Sequence, residues 1–129
     1  MKPVFTKGKK VKTVKLILTF LFGIFIFVAG VNHFIKPEVF FPFIPDFLPE
    51  AGTNYVAGIL EIMVGVGVFI PRFRSLATLG ILVMMLAFLP IHIIDAFKEK
   101  PAIGSHQIAL IRLPLQFVLI LWAWFIHKK

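Results

Sequence analysis

Long apolar runs, separated by short polar or proline-rich stretches, dominate the pattern of hydrophobic and polar positions along the chain. The first run follows a lysine-rich segment, and three more come after it at close intervals. A helix needs about 20 predominantly apolar residues to cross the hydrocarbon core of a bilayer, and each run is close to that length. The pattern predicts four membrane-spanning helices, at about residues 14–34, 53–70, 75–97 and 107–126.

The connections between these runs are short. The first one, residues 36–50, contains four prolines and four phenylalanines. Repeated proline prevents a continuing helix, while aromatic side chains favour the headgroup region over open water. We therefore expect this cover segment to lie over one end of the helices. The whole pattern predicts an all-α integral membrane protein, a four-helix bundle with up-down-up-down topology, in a single transmembrane domain over residues 1–129.

Positive charge is distributed unevenly between the two sides of this arrangement. Residues 1–15 contain six lysines and no acidic residue, and Arg72 and Arg74 lie in the turn after the second run. The other two connections contain acidic residues beside their lysines. Because cytoplasmic segments of membrane proteins carry an excess of Lys and Arg, both termini are predicted to be cytoplasmic.

Composition supports a membrane protein and narrows the chemistry. Hydrophobic residues make up 59% of the chain, which is more than a soluble fold of this length can bury. The net charge of +8 comes from basic residues at the ends of the runs, so we expect the lipid bilayer and no nucleic acid as partner. The chain has no cysteine, which excludes disulfides, thiolate metal ligands and a dithiol redox relay.

A few polar residues interrupt the apolar runs and are the candidates for function. Arg112 and Gln116 lie one helical turn apart in the fourth run, and Glu61 lies near the middle of the second. A cation inside a span costs at least ~2.5–3.5 kcal/mol, so Arg112 needs a partner. We predict an ion pair between Glu61 and Arg112, with His92 or Asp95 completing the network.

Small residues predict which helix faces pack closely. Gly23 and Gly30 are seven residues apart in the first run, and His33 continues their face. In the second run Gly58 and Gly65 share a face with Glu61. Small residues allow membrane helices to approach closely, so both faces are predicted to be helix contacts.

Five polar residues are predicted to meet in one layer near the outer end of the bundle and to bind a ligand. They are His33, Glu61, His92, Arg112 and Gln116. The alternative is a network that only fixes helix register. A metal site of the two histidines with Glu61 and Asp95 has suitable donor types but no diagnostic spacing, and we assign no metal.

Five short motifs spread over almost the whole chain resemble the DoxX family of small bacterial membrane proteins. They are GVNHF at 30–34, IPDFLP at 44–49, GILE at 58–61, IPR at 70–72 and RLPLQ at 112–116. The resemblance implies a bacterial inner-membrane four-helix bundle associated with quinone-linked oxidation. It also implies that His33, Glu61, Arg112 and Gln116 occupy family positions, whereas the position of His92 is often an amide.

The leading functional hypothesis is a membrane subunit that binds a lipophilic small molecule, such as a quinone, for a redox partner protein. A quinone needs hydrogen-bond donors at its carbonyl groups and an apolar tunnel for its tail. Any enzymatic role would be that of an accessory subunit of a quinone-linked oxidoreductase. The alternatives are a small proton-linked transporter, in which Glu61 titrates, and a structural assembly protein.

Overall fold

The protein is all-helical over the residues that the structure describes. A computed structural model describes residues 7–128 and has no strand in that range. Lys2, one of the six N-terminal lysines used for the predicted orientation, and Lys129 lie outside these described residues. The helices are α1 (Lys7–Ile35), α2 (Pro37–Phe40), a 3-10 turn (Phe41–Phe43), α3 (Glu50–Gly67), α4 (Arg74–Ala96) and α5 (His106–His127).

Three helices of the described chain, not four, are long and apolar enough to cross a membrane. They are Gly8–Ile35, Arg74–Ala96 and His106–His127. The prediction of four such helices is therefore wrong at the second run. Helix α3 has only 18 residues, and Glu50, Asn54 and Glu61 are among them, so it contains no uninterrupted apolar stretch of spanning length. The Asn54 and Glu61 side chains are buried against protein, so α3 depends on its neighbours more than on its own apolarity.

Glycines set the closest contact in the fold, between α1 and α3. A Cβ atom added to Gly30 would lie 2.8 Å from the carbonyl oxygen of Gly58, and one added to Gly65 would lie 2.9 Å from that of Gly23. These four residues form what we call the glycine interface. The two small-residue faces predicted from the sequence thus pack against each other. Only residues without a side chain permit this approach.

The other long contact joins α4 to α5. Ala109 and Ala123 on α5 are buried, and the Gln116 amide nitrogen donates a hydrogen bond to the carbonyl oxygen of Met85 on α4 at 2.6 Å. The indole nitrogen of Trp122 donates to the carbonyl oxygen of Leu18 at 3.2 Å, which ties α5 to α1. Helix α5 therefore lies beside α4 and α1.

Asp95 organises the loop between α4 and α5. Its carboxylate accepts hydrogen bonds from the backbone N–H groups of Ala102, at 2.6 Å, and Ile103, at 3.4 Å. A buried carboxylate with backbone donors is a stable arrangement, and it leaves Asp95 in a structural role. The expectation that Asp95 contributes to the polar layer is not met for this reason.

The cover segment closes one end of the helix assembly, as predicted. The Phe40 ring stacks on the His33 ring with 3.7 Å between centroids, and Phe43 meets the His92 ring edge-on at 5.7 Å. The Lys98 ammonium donates a hydrogen bond to the Pro42 carbonyl oxygen at 2.9 Å. These contacts tie the cover segment to both α1 and α4.

Candidate functional site

An apolar cavity of about 370 Å³ lies beneath the cover segment. Side chains of α1, α3, α4 and α5 form its walls, and residues of the cover segment close it. The lining is largely apolar, with polar side chains at a few positions only. These polar positions are His33, Thr53, Asn54, Glu61, His92 and Arg112.

His33 is held between two side chains of α3. Its Nδ1 atom lies 2.6 Å from the Asn54 Oδ1 atom, and the Asn54 Nδ2 atom donates to the His33 carbonyl oxygen at 2.8 Å. The second bond identifies Oδ1 as the amide oxygen, so Nδ1 of the ring is the donor. On its other side the His33 Nε2 atom lies 3.3 Å from the Glu61 Oε2 atom. The ring therefore has an oxygen on each side, and the contact with Glu61 is an ion pair when the ring is doubly protonated.

The carboxylate of Glu61 is only partly satisfied by this contact. The distance to His33 is that of an ion pair, but the Oε2 atom has no hydrogen-bond donor in good geometry among residues 7–128. Glu61 is 3% exposed and lines the cavity. A buried acceptor without a donor is costly, and the Glu61 side chain lines the cavity, so a bound group with a donor would stabilise this carboxylate.

The predicted ion pair between Glu61 and Arg112 is not formed, and this prediction is wrong. Arg112 has no ion-pair or hydrogen-bond partner in the described part of the chain, and its Nη1 atom is buried. The reason lies in the helix order. The glycine interface brings His33 to Glu61, whereas α5 packs on α4 and α1 and presents Arg112 to the cavity from there.

The remaining predicted residues differ in their position. His92 lines the cavity from α4, close to the ring of Phe43. Gln116 is fully buried and is not among the residues that line the cavity, because its amide is used in the contact with Met85. Its Oε1 atom has no partner within the described residues. The cavity thus brings together His33, Glu61, His92 and Arg112, while ligand contact by Gln116 stays a prediction.

Two contributors to the site were missed in the sequence. Asn54 orients His33, and Phe40 covers its ring. Asn54 could have been found, since it lies seven residues before Glu61 on the face that also carries Gly58. Phe40 had no distinguishing signal among the phenylalanines of the cover segment.

The metal site considered as an alternative would need several His, Asp or Glu side chains close together. Within residues 7–128 no three His, Asp or Glu side chains are grouped so as to hold a metal ion. Asp95, one of the four residues considered, is directed to the α4–α5 loop.

Comparison with known families places the chain in a group without an assigned activity. Residues 22–127 match the family model described as "Domain of unknown function (DUF8561)". The chain belongs to this family. The match extends from the middle of α1 to the end of α5, so it includes every residue that lines the apolar cavity of this DUF8561 protein. No curated protein and no solved structure matches the chain.

The resemblance to the DoxX family is wrong. The family comparison finds DUF8561 and no DoxX match. The motifs that suggested it are short runs of glycine, proline and apolar residues at helix ends. Several have local structural reasons in this DUF8561 protein: Gly30 and Gly58 permit helix contact, and Pro71 lies in the turn before α4. Such reasons recur in unrelated membrane helices and do not indicate common ancestry.

Proposed function

We propose that this DUF8561 protein binds a lipophilic small molecule with a hydrogen-bonding head group in the apolar cavity. One observation carries the proposal: Glu61 and Arg112 line the same apolar cavity, and each has a buried polar atom, Oε2 and Nη1, without a hydrogen-bond partner among residues 7–128. Small-molecule sites typically combine an apolar lining with a few polar groups and have volumes of roughly 300–1,000 Å³. The cavity, at about 370 Å³, lies in this range.

The polar atoms define the chemistry of the head group. The Arg112 guanidinium carries only donors and is complementary to a carbonyl or other acceptor. The Glu61 carboxylate is complementary to a hydroxyl or other donor. A quinone supplies the acceptor, and its reduced quinol form supplies the donor, so a quinone-like ring is the candidate ligand class. The phenylalanine, isoleucine and leucine side chains of the lining would contact the ring and the start of an alkyl tail.

A ligand at this site also explains why Arg112 is retained without a protein partner. A cation in an apolar span is costly unless it is hydrated or paired. An acceptor on the ligand would replace the missing partner and would gain a charge-assisted hydrogen bond. His92 lines the same cavity as Arg112, so it would contact a second polar group of the ligand. We propose that the bound molecule is presented to a redox partner protein.

The first prediction concerns ligand binding, tested by thermal unfolding of the detergent-solubilised protein with an alkyl-tailed quinone. At a ligand concentration about 100-fold above Kd, binding should stabilise the wild type by about 2.7 kcal/mol. Arg112→Leu should abolish this gain. It should not lower the basal stability, because Arg112 has no partner in residues 7–128 that its removal would leave unpaired.

Two controls make this experiment specific. Arg72→Leu removes an exposed cation that does not line the cavity and should keep the full ligand effect. An alkylbenzene with the same tail tests whether the head group matters. Equal stabilisation of wild type and Arg112→Leu, or by quinone and alkylbenzene, would show that the ligand acts as bulk lipid and would remove the proposal.

We further propose that α3 crosses the membrane as a fourth span, with both termini in the cytoplasm of a bacterial cell. The three apolar helices support a membrane protein, and α3 packs along α1 over the length of the glycine interface. Its polar residues Asn54 and Glu61 are buried against His33, so lipid would meet mainly its apolar side. The lysine and arginine distribution supports cytoplasmic termini.

The second prediction tests this arrangement with reporters fused after the C-terminal Lys129. Four spans put both termini on one side, whereas three put them on opposite sides. A cytoplasmic reporter should therefore be active at the C-terminus and an alkaline phosphatase fusion inactive. The same pair of reporters in the α4–α5 loop, at Gly104, should give the opposite result. An active phosphatase after Lys129 would contradict the four-span topology.

A small proton-linked permease is the second candidate, favoured by the buried Glu61–His33 pair beside the cavity. Buried carboxylate and histidine side chains within membrane helices are typical of the proton relays of transporters. Flux of a quinone or proton across proteoliposomes separates the candidates. Binding without flux supports the subunit function, binding with flux supports the permease, and neither activity leaves a structural assembly role.

A further inference from the structure

A second cavity, of about 340 Å³, lies at the opposite end of the helices. We call it the basic cavity. It is formed where α1 and α4 begin and α5 ends, and it shares no lining residue with the apolar cavity. Its charged and polar lining comes from three helices. These side chains are Lys12, Lys15, Thr19, Arg74, Ser75, Thr78 and His127.

The charge of this cavity is uncompensated. Lys12, Lys15 and Arg74 are cations, and no acidic side chain is among the lining residues in the part of the chain that the structure describes. The acidic residues of the chain lie in the cover segment, on α3, at the end of α4 and in the loop that follows it. Three cations around one cavity repel each other, so an anion bound between them would stabilise this end.

Most donors that face this cavity remain available. Arg74 uses its Nε atom for the carbonyl oxygen of Val68, at 2.8 Å, and Lys15 donates to the carbonyl oxygen of Lys128. Both groups have further N–H donors beyond these bonds. Lys12 has no hydrogen-bond or ion-pair partner among residues 7–128. Arg74 and Lys15 are therefore held by backbone carbonyl oxygens, and none of the three cations has an acidic partner among residues 7–128.

A hydrogen-bonded pair, Thr78 and His127, lies at the edge of the cavity. The Thr78 hydroxyl donates to the Ser75 carbonyl oxygen at 3.0 Å, so its oxygen accepts from the Nδ1 atom of His127, also at 3.0 Å. The Nε2 atom of His127 has no partner among the described residues; it accepts in the neutral ring and donates to an anion only in the doubly protonated ring. Thr19 and Thr78 are buried at 3% exposure, which shows that the cavity reaches between the helices.

We propose that the basic cavity binds a phosphate group, and that the phosphate belongs to an anionic phospholipid. Several cations and hydroxyls around one cavity match the charge and the acceptor oxygens of a phosphate. The cavity lies at the ends of three helices long enough to cross a membrane, so in a bilayer that these helices span it would be level with the lipid phosphates. Basic pockets between membrane helices on the cytoplasmic side are a recognised mode of lipid headgroup binding.

The test is a titration of the detergent-solubilised protein with phosphatidylglycerol, read by native mass spectrometry as bound lipid per chain. The wild type should retain one lipid molecule. Lys12→Gln with Lys15→Gln should weaken this binding about 30-fold, roughly fivefold for each cation removed. The control Lys10→Gln with Arg72→Gln makes the same change in net charge at residues outside the cavity and should leave the affinity within about twofold.

Two further measurements complete the test. Lys12→Gln alone has no described contact to lose, so it should weaken binding about fivefold even if the double variant folds poorly.

Inorganic phosphate identifies the source of the group. Stabilisation of the wild type by phosphate, lost in Lys12→Gln, would support the phosphate site with a soluble ligand, and binding of phosphatidylglycerol alone would support the lipid. Equal weakening in both double variants, or no lipid or phosphate bound, would overturn the proposal.

Discussion

Replacing Glu61 with leucine should destabilise the protein strongly, and replacing Glu61 and His33 together should cost less than the sum of the two single changes. The His33 Nε2 and Glu61 Oε2 atoms are 3.3 Å apart and both side chains are buried. Breaking a buried ion pair by removing one partner costs about 3–5 kcal/mol, because the other charge is left uncompensated. The double change removes both charges and should recover about 1.5–3 kcal/mol.

The measurement is a double-mutant cycle of unfolding free energy in detergent, with folded yield as a second readout. Glu99→Leu replaces an exposed carboxylate of the α4–α5 loop and should change stability by less than about 0.5 kcal/mol. Asn54→Leu is informative as well, since it removes the acceptor for the His33 Nδ1 atom and should cost about 1–3 kcal/mol. Strictly additive losses for Glu61 and His33 would show that the two residues do not form a pair.

Gly58→Leu should have an effect of similar size through a different cause. A Cβ atom at residue 58 would lie 2.7 Å from the His33 Cβ atom and 3.1 Å from the Gly30 carbonyl oxygen. Neither neighbour is the flexible end of a side chain, so α1 and α3 must move apart. Overpacking typically costs about 1–3 kcal/mol, and the separation also breaks the His33–Glu61 contact, which adds about 3–5 kcal/mol.

Gly52→Leu is the matched control for this steric prediction. Residue 52 is on the same helix but exposed, and a Cβ atom there would be no closer than 3.7 Å to any neighbouring atom. Because glycine is about 1 kcal/mol less favourable than alanine in a helix, this variant should keep or raise the stability. Thermal unfolding and size-exclusion profiles of the two variants provide the comparison. Similar stability of Gly58→Leu and the wild type would contradict the close contact of α1 with α3.

Local patterns account for what was predicted correctly about the fold. Runs of apolar residues led to α1, α4 and α5, and the prolines of the cover segment indicated where helix α1 must end. The spacing of Gly23 with Gly30, and of Gly58 with Gly65, identified two contact faces. These features depend on helix geometry and on the cost of exposing polar groups to lipid, both of which act within one segment. The number of apolar spans was predicted wrongly because the prediction for α3 relied on its length and its apolar residues, and gave too little weight to Asn54 and Glu61.

The sequence by itself determined that this is an all-helical membrane protein whose polar residues need partners, but the choice of partners was decided only by the tertiary structure. Glu61 meets His33 and not Arg112 because the glycine interface places α1, not α5, beside α3. Asp95 turns to a loop, and Gln116 to the backbone of α4. A charged residue in an apolar segment predicts that an ion-pair or hydrogen-bond partner is needed, whereas the packing of the neighbouring helices determines which group is that partner. Arg112, at the wall of the apolar cavity, is a charged residue of an apolar helix to which the described chain offers no ion-pair or hydrogen-bond partner.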